Sequence, residues 1–223
     1  IYRVTALKKH VHEGDPPSEE VADRRRQAIL ARHVNSELDA TEITGFLNDA
    51  AAVVREAALA TVVKLDLDAG KHIVNALDDD DHGVRKRAVE LVIELSDNQE
   101  YISEVLVLLD DSSTFVVETV CWVIGEIGNN YENVAEVVSK VSQVALKHDD
   151  SLCREAAVAC LGSLGHIDGL ATLLKVLDDK PNVRRRATLA LAPFEGPEVE
   201  EALKRKLKDR DLQTRQAAED LLS

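Results

Sequence analysis

The sequence predicts an all-α fold, an α-solenoid in which antiparallel helical hairpins stack into a right-handed superhelix. Three observations carry that prediction. A phrase made of an Asp-rich turn, an Arg six residues past an Asp and an apolar helix returns at a fixed period: LNDAAAVVREAA from Leu47, LDDDDHGVRKRA from Leu77, LDDKPNVRRRA from Leu177 and LKDRDLQTRQAA from Leu207. Such a repeat is one small element that cannot bury its apolar face alone and must stack on its neighbours. The apolar residues within it recur at helical spacing. A period of about 30 residues holds two helices of about 10–13 residues with short connections and leaves no room for a strand and crossover.

With the Arg of each phrase as origin, the anchors are Arg55, Arg85, Val117, Arg154, Arg184 and Arg215, at steps of 30, 32, 37, 30 and 31 residues. Six residues before them stand Asp49, Asp79, Asp111, His148, Asp178 and Asp209. Three residues after come Ala58, Ala88, Val120, Ala157, Ala187 and Ala218, small enough for close helix approach. Seven after come Val62, Val92, Ile124, Leu161, Leu191 and Leu222, one turn further along the same face.

The elements follow in order. The first 38 residues depart from the register: IYRVTALKKHVH suits a helix, EGDPPS a break, and EEVADRRRQAILARHV a second helix with Arg24, Arg25 and Arg26 near the anchor position, a basic triad that reads as a solvated face. Residues 1–38 are therefore assigned as a degenerate N-terminal capping repeat, and residues 39–223 as six repeats of one solenoid domain. The first helices of those six units are ATEITGFL, GKHIVNAL, YISEVLVLL, ENVAEVVSKVSQVAL, IDGLATLLKVL and PEVEEALKRKL. Each ends at an Asp turn. Polar caps precede the second helices at Asp80 and Asp81, Ser112 and Ser113, Asp149 and Asp150, and Asn182. Pro181 suits a first helical turn, and Gly128, Gly165 and Gly196 suit left-handed closures after second helices.

The repeated Asp and Arg residues read as a structural ladder: Asp49 and Arg55, Asp79 and Arg85, Asp111, Arg154, Asp178 and Arg184, Asp209 and Arg215. One repeat's Arg is expected to reach a neighbouring Asp or carbonyl through charge-assisted hydrogen bonds. A catalytic pair would not be duplicated along a rod. Clustered carboxylates such as Asp78 to Asp81 read as helix-entry charges favoured by the N-terminal dipole. The pattern of Asp, five residues, Arg, two residues and Ala, as in CREAAVACLGSLGHIDGLATLLKVLDD from Cys153, resembles the short HEAT-like repeat of phycobilisome lyases over roughly residues 40 to 223. The resemblance implies a stacked-hairpin fold with second helices on the concave face. It leaves activity open, since such repeats serve adaptors, scaffolds, lyase subunits and some enzymes.

Composition narrows the function. Aromatics are 3% of residues, as thin helix layers require, and 27 Lys and Arg stand against 41 Asp and Glu, a formal charge of -14. That field repels nucleic acid and anionic lipid and favours a basic partner. Cys121, Cys153 and Cys160 read as small core residues of a reducing, cytoplasmic setting. No apolar run approaches the ~20 residues of a membrane span.

Positions one, five and nine after each anchor point out of the core. They give Glu56, Ala60 and Lys64; Lys86, Glu90 and Glu94; Glu118, Trp122 and Glu126; Glu155, Ala159 and Ser163; Arg185, Leu189 and Pro193. The middle of the rod thus presents Glu90, Glu94, Glu118, Glu126 and Glu155 around the single Trp122, a residue enriched at interface hot spots. The competing reading buries Trp122 against the lengthened helix after Gly128. At that same seam Val117 interrupts the ladder.

Enzyme chemistry finds little support. Metal-dependent hydroxylases built from similar repeats need recurring His-Glu pairs, and here the pair occurs once, at His12 and Glu13. The seven histidines show no ligand spacing within a helix, and no phosphate loop or nucleophile elbow is present. The expected function is a non-catalytic protein–protein interaction scaffold or adaptor, without cofactor, metal, nucleic acid or membrane, that takes a basic segment on its acidic concave face. The alternative is a lyase-type or other enzyme subunit whose chemistry depends on a partner chain.

Overall fold

The computed structural model describes residues 17–31 and 39–223. Among them are thirteen α-helices and no strand. Helix α1 (Glu19–Leu30) precedes six hairpins: α2 (Ala40–Gly45) with α3 (Ala52–Leu65), α4 (Ala69–Ala76) with α5 (His82–Val92), α6 (Ile102–Val107) with α7 (Thr114–Ile127), α8 (Val134–Lys147) with α9 (Ser151–Leu164), α10 (Leu170–Val176) with α11 (Pro181–Ala190), and α12 (Pro197–Lys206) with α13 (Leu212–Leu222). The expected N-terminal helix over residues 1–12, the His12 and Glu13 pair, and the boundary at residue 38 lie outside the described residues.

Successive second helices pack directly on one another from α1 to α13, whereas among first helices the α8 and α10 pair does so most clearly. The stack therefore bends with its second helices inside. The predicted core stripe explains the packing. The residues just before the anchors, Val54, Val84, Val116, Cys153, Val183 and Thr214, are all buried, as are the small residues three positions after them. The residues at plus seven are buried from Val62 to Leu191, while Leu222 is half-buried at the last unit. At plus four, Leu59, Val89, Cys121, Val158 and Thr188 are buried between units, and the last unit carries an exposed Glu219 there.

The ladder explains the six-residue spacing. Each Arg closes its own turn and clips the next. Arg85 donates from Nη1 to the carbonyls of Asp79 (2.8 Å) and Asp80 (3.1 Å), while Nε and Nη2 hold the Asp111 carboxylate of the following unit at 2.7 and 2.9 Å. Arg55 repeats this toward Asp79, and Arg184 toward Asp209. Asp49, Asp79, Asp111 and Asp209 in turn accept the amide two residues on, as Asp111 does from Ser113 at 2.7 Å. The guanidinium hydrogen bond holds the carboxyls of Asp49, Asp179 and Asp209 below the usual range, Asp209 at about 2. Asp79 and Asp111 are also lowered by their Arg partners, against a burial effect that pushes the other way.

Two ladder assignments change. Arg154 pairs with Asp179 at 2.7 Å, not with Asp178, because the turn is one residue shorter here: Asp179 stands two residues before the start of α11, where Asp79, Asp111 and Asp209 stand three before α5, α7 and α13. Asp178 is instead largely exposed and meets Lys206 at 3.0 Å. Arg24, expected on a solvated face, extends the ladder to the first unit by holding Asp49 at 2.6 Å. Arg215 closes its own turn through the carbonyls of Asp209 and Arg210, at the end of the row.

The break at Val117 is concerted. Val117 is fully buried, and its counterpart in the next unit is His148, whose Nδ1 accepts the Asp150 amide at 3.1 Å as an Asp would. Donor and acceptor of one rung are replaced together, so no buried charge is stranded. Close packing takes over at this seam: an added Cβ on Gly125 would lie 3.5 Å from the Cα of Cys160. Helix α8, at 14 residues, is the longest first helix, as the 37-residue step predicts.

The cap predictions hold in part. Asp81 and Asp150 accept first-turn amides, and Gly165 closes α9 with φ 57°. Gly128 is right-handed, with φ -70°, because a short 3-10 turn continues α7. Gly196, with φ 124°, precedes α12 and does not close α11. Asp66, with φ 53°, makes the left-handed closure of α3. Asn182 lies inside α11 and not at its cap.

Candidate interaction surface

The inner face is built from the outward stripes of the second helices. On α7 this stripe carries Glu118, Trp122 and Glu126. Trp122 is half-buried and packs against the core. Glu94 and Glu126 are exposed and form no ion pair among the described residues. Glu118 is partly buried.

The carboxylates split into two groups. Glu90 is ion-paired with Lys86 and, at 3.0 Å, with Arg87. Glu155 accepts from Asn182 at 2.9 Å and faces Arg186 at 3.7 Å and Arg185 at 3.9 Å. These two are neutralised internally, a departure from the expected ring of open carboxylates. The cations stand at positions plus one and plus two in both cases: Lys86 and Arg87 close on Glu90 of their own helix, α5, whereas Arg185 and Arg186 of α11 reach back to Glu155 of α9.

Sequence reasoning overlooked part of the surface. Phe115 and Leu152, two residues before their anchors, are 49% and 53% exposed, and Phe115 stacks on His82 with ring centroids 6.4 Å apart. Each lies seven residues before a plus-five position, Trp122 or Ala159, so the helical step already used for the core places them on the same stripe. Leu189, in the corresponding stripe of α11, is 40% exposed. The centre of the face is therefore more apolar than the acidic reading allowed.

Charge is also unevenly distributed along the rod. Residues 39–137 hold 21 Asp and Glu against 6 Lys and Arg, whereas residues 138–223 hold 14 of each. The negative field belongs to the first three hairpins.

The remaining chemistry lies elsewhere. A cleft of about 600 Å³ opens between α2 and α4 and includes Thr41, Lys71, His72 and Asn75, none of them on the inner stripe. Cys121, Cys153 and Cys160 are buried and unpaired, and burial pushes their thiols upward, Cys153 to about 12. Among the described residues no group of three or more His, Cys, Asp or Glu is placed to hold a metal, and no helix is long and apolar enough to cross a membrane.

Residues 138–223 match the family described as HEAT repeats. No curated protein matches the sequence. Among solved structures, YibA of Escherichia coli is 15% identical, with 95% of this chain and 77% of that chain covered and a TM-score of 0.60. A computationally designed armadillo repeat protein for modular peptide recognition is 17% identical, with 82% and 98% covered and a TM-score of 0.59. The complex of CpcE and CpcF of phycocyanin lyase from Nostoc sp. PCC7120 is 18% identical, with 85% and 78% covered and a TM-score of 0.56. These likenesses establish a HEAT and armadillo-like solenoid fold.

Proposed function

We propose that the chain is a non-catalytic protein–protein interaction scaffold whose inner face, centred on Trp122, takes a basic segment of a partner. The observation that carries this reading is a half-buried Trp122 on the same outward stripes as the open carboxylates Glu94 and Glu126, in the half of the rod that holds the net negative charge. Trp offers large contact area at low conformational cost, and unpaired carboxylates steer cations toward it. Glu118 completes the near rim, while Glu90 and Glu155 frame it through their internal pairs.

The absence of catalysis in this reading is supported by what the reactive groups do. The thiols are held protonated by burial, and thiolate is the nucleophile. The ladder carboxylates are committed to guanidinium partners. A cytoplasmic location fits three unpaired cysteines, and the acidic field disfavours nucleic acid and anionic membrane as partners.

Trp122 is the sole Trp, so its emission reports this site alone. Titration with a peptide of alternating Lys and Arg is expected to give a saturable shift in emission that weakens with salt. Binding should fall at least about tenfold in the Glu94→Lys, Glu126→Lys variant, roughly the loss of two modest charge contacts. Equal binding by that variant, or no saturable response, overturns the proposal.

A further inference from the structure

We infer that the partner segment is bipartite, with a block of Lys and Arg lying over α5 and α7 and an adjoining block of apolar residues lying over α7, α9 and α11. This deepens the function proposed above and rests on it. The inner face changes character at Trp122. On one side Glu94 and Glu126 are exposed, in a stretch where acids outnumber bases 21 to 6. On the other side acids and bases balance at 14 each, and Glu155 with Arg185 and Arg186 forms an internally neutral rung.

Apolar side chains run from the junction helix α7 onto the neutral side. Phe115 and Leu152 share one row across α7 and α9, 49% and 53% exposed. Trp122, Ala159 and Leu189 form the parallel row one stripe further along α7, α9 and α11, and Leu189 is 40% exposed. Ala159 and Ser163 are small, so the surface beside Trp122 is recessed on the α9 side. The rows lie about 10 Å apart along the helices, from seven residues at ~1.5 Å each, and neighbouring helices stand about 8–10 Å apart.

These distances suit a run of side chains crossing the second helices. A purely basic segment would leave three large apolar side chains facing water, and a purely apolar one would leave Glu94 and Glu126 without counter-charge. A segment with both blocks satisfies each half by the interaction that half offers: charge complementarity on the acidic side and removal of apolar area from water on the neutral side. Trp122, at the junction, contacts both.

The test uses two peptides of equal basic content, one with Lys and Arg alone and one with an adjoining block of Leu and Ile, read by Trp122 emission and by calorimetry. The bipartite peptide is expected to bind about tenfold more tightly, the effect of burying roughly one large apolar side chain. In the Leu152→Ser, Leu189→Ser variant, which leaves the charge unchanged, that advantage should vanish while affinity for the basic peptide stays within about twofold; both positions are exposed, and unchanged circular dichroism checks the fold. Equal affinity for the two peptides, or an advantage that persists in the variant, overturns the bipartite assignment while leaving the basic-segment reading standing. Failure of both peptides to bind overturns both.

Discussion

Removing one rung of the ladder tests how the solenoid is held together. In Arg85→Val, the Asp111 carboxylate loses two hydrogen bonds of 2.7 and 2.9 Å and keeps only the Ser113 amide, in a pair whose side chains are 14% and 4% exposed. Stranding one member of a buried pair costs about 3–5 kcal/mol, and the partial exposure of Arg85 places the expected loss near ~3 kcal/mol. For a chain of this size that lowers Tm by about 6–12 °C. Asp111→His alone leaves Arg85 without its acceptor but able to reach water, at about 2 kcal/mol.

The double variant Arg85→Val, Asp111→His reproduces the chain's own rung at Val117 and His148, where an imidazole Nδ1 accepts the turn amide and no charge is stranded. It should cost only about 1–2 kcal/mol, giving a coupling of about 3 kcal/mol between the two sites. Urea denaturation followed by circular dichroism and Trp122 fluorescence, with an unchanged m-value, measures all three. Additive losses in the double variant would refute the account of the concerted break.

Acid sensitivity and packing give two further outcomes. Asp209 has a folded pKa of about 2, below the unfolded value of about 3.9. Its contribution is therefore complete above about pH 4 and is lost as pH falls toward 2; Asp209→Asn should be less stable than the native chain at neutral pH and lose less stability over that window, and parallel pH curves would contradict this. At Gly162 an added Cβ would sit 2.7 Å from the Cβ and 2.9 Å from the Cα of Ala190. Gly162→Ala should thus cost about 1–3 kcal/mol by overpacking despite the better helix propensity of Ala, and a raised Tm would refute the close approach.

Much of the scaffold was readable from sequence because its causes repeat. The positions before, three after and seven after each anchor form a single helical stripe, and periodicity alone places them in the core from Val54 to Leu191. The ladder's chemistry was also readable, since an Asp and an Arg six residues apart in unit after unit leave few other roles. Its connectivity was legible in outline: an Arg was expected to reach a neighbouring Asp or carbonyl, and the guanidinium takes both, the carbonyls of its own turn and the carboxylate of the next unit, about 25 residues away. The one-residue shortening before Pro181, which moves the rung from Asp178 to Asp179, depends on where α10 ends, three residues before Asp179 as α4 ends three before Asp79.

The interaction surface was less legible. The outward stripe with Trp122 follows from helical geometry, but which carboxylates remain open does not, because Glu90 and Glu155 are neutralised by cations on their own and neighbouring helices. Exposure of Phe115 and Leu152 likewise depends on how adjacent units are offset. By itself the sequence determined the repeat, its core stripe, the position of its break and the charge of each half, all of them local or periodic properties. Only the tertiary structure decided which charges pair across units and which apolar side chains stay in water, because those outcomes are set by distances between residues that the chain keeps far apart.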